Sequence, residues 1–124
     1  FDLVSCLKRD HKLLADIMTQ EHGKTTPDSL GDVKEDYKLL NTLAVLHWLS
    51  TDKPLKTSQR ELTATHTEPL GVCAGVAPFN FPAMIPLWMF PLAITCGNTF
   101  VLKPSERVPG AMEHMCKILK EINL

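Results

Sequence analysis

The sequence predicts an α/β fold, with two N-terminal helices and an edge strand followed by a parallel β-α-β-α unit. Three observations carry this. Residues 1–50 repeat apolar side chains at helical intervals, and residues 61–67 alternate with period two. Residues 69–124 then break into two short apolar runs without alternation, each followed by a helical pattern, as strands covered on both faces require. The three stretches (1–50 helical pair, 51–68 loop and strand, 69–124 β-α-β-α unit) form one partial domain, and no tract long enough to be an interdomain linker separates them.

The first helix is expected across "FDLVSCLKRDHKLLADIMTQEH", where Leu3, Leu7, Leu14, Ile17 and Met18 return to one face, with Gly23 as its stop. A second starts at Thr26 and Pro27, a capping hydroxyl and then proline at the first helical position, with Asp28 in the favourable first turn. Its stripe of Leu30, Val33, Tyr37, Leu40 and Ala44 runs to about Trp48, weakened by Gly31. Residues 50–59 are polar and irregular, a surface connection. In "ELTATHT", Leu62, Ala64 and His66 alternate with threonines, the pattern of an edge strand.

The reach from 69 to 102 is uncharged and long enough to span a bilayer. Pro69, Pro78, Pro82, Pro86 and Pro91 punctuate it, and each interior proline removes a backbone donor and clashes one turn back, which argues against a membrane span. It divides instead into a fully buried strand "GVCAGVA", an apolar helix "FPAMIPLWMFPLAITCG" and a second buried strand "NTFVLK". Pro82 suits that helix's first turn and Gly97-Asn98 its end. The last helix, "VPGAMEHMCKILKEINL", places Met112, Met115, Ile118, Leu119 and Ile122 on one face, and the connection between the parallel strands is expected to be right-handed.

With 124 residues, 44% hydrophobic, 22% charged and a net charge of -1, the composition is that of an ordinary soluble domain, and the chain is short enough to be incomplete. Interspersed charges give no footprint for nucleic acid or an anionic membrane surface. Cys6, Cys73, Cys96 and Cys116 lack any C-x-x-C spacing, so neither zinc nor a redox dithiol is implied; Cys73 and Cys96 read as core packing. His11, His22, His47, His66 and His114 show no metal spacing and read as surface residues.

Parallel sheets bind ligands at the carboxyl ends of their strands, here 77–80 and 103–107. Glu106 is placed to accept hydrogen bonds from an adenosine ribose, Lys103 to donate to the same diol, and a carboxylate there would repel a 2′-phosphate, favouring NAD over NADP. The alternative is that "KPSER" is a solvated turn, with Ser105 capping the next helix and Glu106 favourable to its dipole. A G-x-G-x-x-G fingerprint is absent. Asn80 could satisfy its own loop backbone, or could donate to an oxyanion, a contact worth about 2.7 to 4 kcal/mol in a transition state.

The stretch 69–111, with its P-F-N-F-P turn, M-I-P-L-W-M-F-P helix and K-P-S-E-R, resembles the cofactor-binding domain of aldehyde dehydrogenases, and within that family the CoA-acylating branch; "EHGKT" and "GDV" extend the likeness upstream. The resemblance implies a Rossmann-like NAD-binding domain in which Ala77 and Phe79 line the nicotinamide side, Lys103, Glu106 and Arg107 hold the adenosine end, and Asn80 steadies the oxyanion. It implies NAD as cofactor, CoA as co-substrate, and methylmalonate or malonate semialdehyde as substrate, attacked by a cysteine thiolate and released as propionyl-CoA or acetyl-CoA with loss of carbon dioxide. It also implies a homo-oligomer, dimer or tetramer, in the mitochondrial matrix of a eukaryote or the cytoplasm of a bacterium. No cysteine here matches the family's nucleophile, so these residues alone are expected to be inactive, and an unpaired sheet edge should make the isolated piece marginal or prone to associate. A non-catalytic nucleotide-binding module, or one that associates with subunits through "ELTATHT", and a family member with another aldehyde remain the alternatives.

Overall fold

A computed structural model describes residues 2–49, 54–56, 62–64 and 66–124, with side chains described outside 44–49, 54–56 and 62. In chain order the elements are α1 (Asp2–Arg9), α2 (His11–His22), α3 (Thr26–Leu49), β1 (Pro54–Lys56), β2 (Leu62–Ala64), β3 (Val72–Val76), α4 (Met84–Thr95), β4 (Thr99–Lys103) and α5 (Gly110–Glu121).

The expected first helix is two. Backbone bonds of 2.9 Å continue on either side of Asp10, from its N–H to Cys6 and from the Leu14 N–H to its carbonyl, but the chain bends there. The reason is the Asp10 carboxylate, drawn to Arg9 at 2.8 Å and to His114 of α5 at 2.8 Å, while Arg9 reaches Glu121 at 2.6 Å. The Arg9 guanidinium holds the Asp10 carboxyl down to about 2. Gly23 does end α2, in the left-handed region at φ 80°, its N–H bonded to Thr19.

α3 has the expected span, but its cap is Thr25, not Thr26. The Thr25 Oγ1 accepts the Asp28 N–H at 3.3 Å and donates to the Asp28 carboxylate at 2.6 Å, a reciprocal cap that moves Pro27 one place into the helix. Val33, Leu40 and Leu43 join Leu7, Leu14, Met18, Leu87, Phe90, Met112, Met115 and Ile118 in one core.

The connection read as irregular contains β1, which pairs antiparallel with β2 in register Pro54↔Ala64 to Lys56↔Leu62. This hairpin is separate from the second sheet, so the strand is not an edge of the parallel pair, and His66 lies outside it. Glu61 and Thr65 of the expected strand, and 50–53 and 57–59 of the connection, lie outside the described residues.

β3 and β4 pair in parallel, from Val72↔Thr99 to Val76↔Lys103, joined through α4 as expected. They are not buried on both faces. Their exposure alternates, with Val72, Val76 and Val101 left 77%, 73% and 61% exposed, because among the described residues α4 covers one side only. On the covered side Gly75 leaves room for its neighbours: a Cβ there would lie 2.6 Å from the Phe100 ring and 2.9 Å from the Met89 sulfur, so these side chains would have to shift. Cys73 is correspondingly only half-buried and Cys96 is exposed, so neither is the core residue expected.

α4 begins at Met84; Pro82 sits in the turn before it, where Asp32 of α3 rather than a local residue supplies the acceptor for the Met84 N–H. Gly97 and Asn98 close the helix as expected, through bonds of 2.9 and 3.0 Å to Ile94 and Ala93. α5 buries Ala111, Met112, Met115 and Ile118, and the Glu21 carboxylate of α2 accepts the Gly110 N–H at 2.9 Å at its start. Among the described residues no helix is long and apolar enough to cross a membrane.

Candidate coenzyme and oxyanion rim

The parallel ladder runs one bond past its last pair: the Ala77 N–H donates to the Lys103 carbonyl at 3.0 Å. Two loops, 77–83 and 104–109, therefore leave the sheet from one rim, and this brings together the residues expected to act. Ala77 is buried beneath the rim, while Phe79, Asn80, Lys103, Glu106 and Arg107 are exposed on it.

Phe79 and Arg107 meet directly, the guanidinium lying 5.4 Å from the ring centroid. The His22 ring, at the end of α2, stacks near-parallel on Phe79 at 6.1 Å and 24°. Lys103 and Glu106 pair at 2.8 Å, both largely exposed, and the lysine's hydrogen bond holds the Glu106 carboxyl below the usual carboxylate range. An exposed pair of this kind adds little net stability and opens readily. Ser105 is buried and accepts the Arg107 N–H at 3.3 Å, closing a tight turn. It does not cap α5, which starts five residues later at Gly110, so the helix-dipole role considered for Glu106 does not apply.

Asn80 borders an open cleft of about 590 Å³, lined also by Lys24, Asp32, Glu35, Phe81 and Met84. Among the described residues its side-chain amide makes no hydrogen bond, so it does not satisfy its own loop; its backbone carbonyl instead accepts from Lys24 Nζ at 3.0 Å. Lys24 also pairs with Asp32 at 2.9 Å, and its Nζ lies 4.9 Å from the Phe81 ring centroid.

Sequence reasoning missed Lys24, Asp32 and Asp36. The available signal was on α3, where Ser29, Asp32 and Asp36 share the buried face with Val33, Leu40 and Leu43. An acid at a core position of an amphipathic helix is costly unless another element brings it a partner. Asp36 is fully buried, and neither carboxylate oxygen has a partner in hydrogen-bonding geometry among the described residues. Burial first, then the charge of Asp32, pushes it up to about 8, against the pull of the Trp88 indole. Of the histidines expected at the surface, His66 is exposed, whereas His11 bonds the Leu30 carbonyl at 2.9 Å and His114 bonds Asp10 at 2.8 Å; the side chain of His47 lies outside the described residues. Among the described residues no cluster of side chains could hold a metal ion.

Two parallel strands joined through a helix, with paired loops leaving one carboxyl-end rim, place the chain in the parallel α/β class, whose ligands bind at such a rim. The sequence model of the aldehyde dehydrogenase family matches residues 1–124, and the chain belongs to that family. It is similar to the human mitochondrial methylmalonate-semialdehyde/malonate-semialdehyde dehydrogenase [acylating], 45% identical over 116 residues that make up 93% of this chain and 22% of the human protein. Among solved structures, the methylmalonate-semialdehyde dehydrogenase of Oceanimonas doudoroffii superposes with a TM-score of 0.93 at 34% identity, covering 100% of this chain and 26% of that one. A Sinorhizobium meliloti 1021 structure assigned as a methylmalonate-semialdehyde dehydrogenase and complexed with NAD superposes at 0.92 and 35% identity, covering 99% and 25%. The chain thus spans about a quarter of the length of these proteins.

Proposed function

We propose that this chain supplies the coenzyme-facing rim and the oxyanion amide of an NAD-dependent, CoA-acylating aldehyde dehydrogenase acting on methylmalonate or malonate semialdehyde. The observation that carries the reading is the bond from Ala77 to Lys103, which places the Asn80 loop and the Lys103–Glu106 turn on one rim. Similarity to proteins named for that reaction supports the substrate, the CoA step and, for a eukaryotic source, the mitochondrial matrix. An assembly of identical subunits through the β1–β2 hairpin completes the proposal.

The residues fit the coenzyme. Glu106 offers an exposed carboxylate to the ribose hydroxyls and Lys103 a donor beside it, while the buried Ala77 lets backbone approach the nicotinamide side without a bulky side chain. NAD, when bound, supplies the hydride acceptor. Arg107, held over Phe79, keeps a positive charge at the rim for the coenzyme's anionic part. The Asn80 amide, without a hydrogen bond among the described residues, donates N–H to the oxygen that becomes an oxyanion when a thiolate adds to the aldehyde carbon. As the carbonyl re-forms, the charge leaves that oxygen and the contact weakens, so it favours the transition state over the thioester product.

One observation favours the second reading, a family member that takes an aldehyde lacking a carboxylate. Asp28, Asp32 and Glu35 all line the cleft beside Asn80, and Lys24, the one cation among the described residues that line it, is already paired with Asp32. An anionic substrate would meet like charge there. A single assay of the full-length protein tests both readings: NADH formation with NAD and CoA on malonate semialdehyde and on propionaldehyde, for wild type and Asn80→Ala. The substitution should lower kcat about 100- to 1,000-fold. Higher kcat/KM on malonate semialdehyde supports the first substrate, higher kcat/KM on propionaldehyde the second, and an unchanged kcat in the variant removes Asn80 from the chemistry.

A further inference from the structure

We propose that Lys24 and Asp32 are positioning residues for the Asn80 amide, fixing the loop that carries it at Asn80 itself and where it becomes α4; the inference rests on the aldehyde-oxidation reading above. The Asn80 side chain makes no hydrogen bond among the described residues, so only its backbone sets where the amide points. That backbone is held at two places. Lys24 Nζ donates to the Asn80 carbonyl at 3.0 Å, and Asp32 Oδ1 accepts the Met84 N–H at 3.0 Å, where the loop becomes α4. The two anchors are one unit, because the other carboxylate oxygen, Oδ2, binds Lys24 Nζ at 2.9 Å.

The unit is buried, with the Lys24 side chain 9% and that of Asp32 0% exposed. A buried ion pair is a poor source of net stability, since desolvating both charges offsets their attraction, and apolar residues of similar size often do as well. What apolar residues cannot do is aim a donor at one carbonyl and an acceptor at one N–H. The Phe81 ring lies 4.9 Å from the ammonium, a further contact that favours this placement of the lysine. Sequence placement makes this possible: Gly23, at φ 80°, ends α2 one residue before Lys24, and Thr25 begins the cap of α3 one residue after it. Lys24 is therefore the middle of a tight α2–α3 corner, and Asp32 lies on the buried face of the helix that follows. Loosening either anchor lets the oxyanion donor drift, and a displacement of about 1 Å at a reacting group costs on the order of 100-fold in rate.

The test uses the full-length protein carrying Lys24→Met, Lys24→Arg or Asp32→Asn, with kcat and KM for the aldehyde, the dissociation constant for NAD, and amide hydrogen exchange across 79–103. Lys24→Met and Asp32→Asn should each lower kcat about 10- to 100-fold, leave NAD affinity within about twofold, and speed exchange at 80–84 while β4 keeps its protection. Lys24→Arg should recover part of the lost kcat. Unchanged kcat and unchanged exchange at 80–84 would overturn the proposal, and so would a loss of rate matched by faster exchange throughout β3, α4 and β4, which marks general structural support. If Lys24→Met does not fold, the near-isosteric Asp32→Asn decides on the same readouts. Should the wild type form no NADH with any aldehyde, the functional reading fails, while exchange at 80–84 still decides whether the pair holds the loop.

Discussion

Asp36 is the residue with the most to lose from its surroundings. A carboxyl that ionises near 3.8 in the unfolded chain and near 8 in the fold binds a proton more tightly when folded. The folded state is then favoured below the unfolded value, and stability declines as pH rises from about 4 through 8, by a few kcal/mol in all. Asp36→Asn in the full-length protein should therefore melt close to wild type at pH 4.5 and several degrees above it at pH 8.5. Parallel melting curves across that range would show that Asp36 finds a partner or solvent that the fold does not reveal. Its position was readable on the helical wheel of α3, but its isolation was not. Helical spacing says which face a residue occupies, whereas the lack of a donor depends on what α4 brings to that face, with Trp88 out of hydrogen-bonding geometry.

At the scale of elements, the helices and the parallel pair were legible because each rests on local signals: Gly23 and Gly97 as stops, apolar stripes on α3 and α5, and uncharged runs for β3 and β4. The errors fell where a distant partner overrides local pattern. The bend at Asp10 is held by Arg9 beside it and by His114 of α5, and the start of α4 by Asp32, partners that no local spacing names. β1 escaped notice because three residues, one a proline, carry too little pattern to stand out from a loop. Gly75 shows the opposite case, a glycine whose role appears only once β3, β4 and α4 are assembled. Gly75→Ala should lower stability by about 1 to 3 kcal/mol, since the Phe100 ring and Met89 must shift to admit a methyl group. A chemical denaturation midpoint equal to wild type would mean that both side chains yield without cost.

In the molecule as a whole, one side of the two-stranded sheet packs on α4 and through it on α3, while the other presents Val72, Val76 and Val101 to solvent. Among the described residues the core thus lies on the helical side, and the candidate rim stands at the edge where core, sheet and loops meet. The rim was legible in outline, since strand ends mark ligand sites in parallel sheets and the P-F-N-F-P and K-P-S-E-R motifs name the residues. Its internal wiring was not: the Arg107–Phe79–His22 stack and the Lys24–Asp32 anchor join residues far apart in sequence through contacts that no spacing encodes.

The central claim is that the Lys103–Glu106 turn holds the ribose of NAD on the same rim as Asn80. Calorimetric titration of NAD and NADP into the full-length protein and its Glu106→Gln variant tests it most directly. The account predicts that the substitution weakens NAD roughly ten- to a hundredfold, as expected for losing hydrogen bonds to a charged acceptor, and narrows the preference over NADP by removing like-charge repulsion. Equal NAD affinity in the two proteins, with the preference unchanged, would contradict it and leave the turn a solvated corner of the fold.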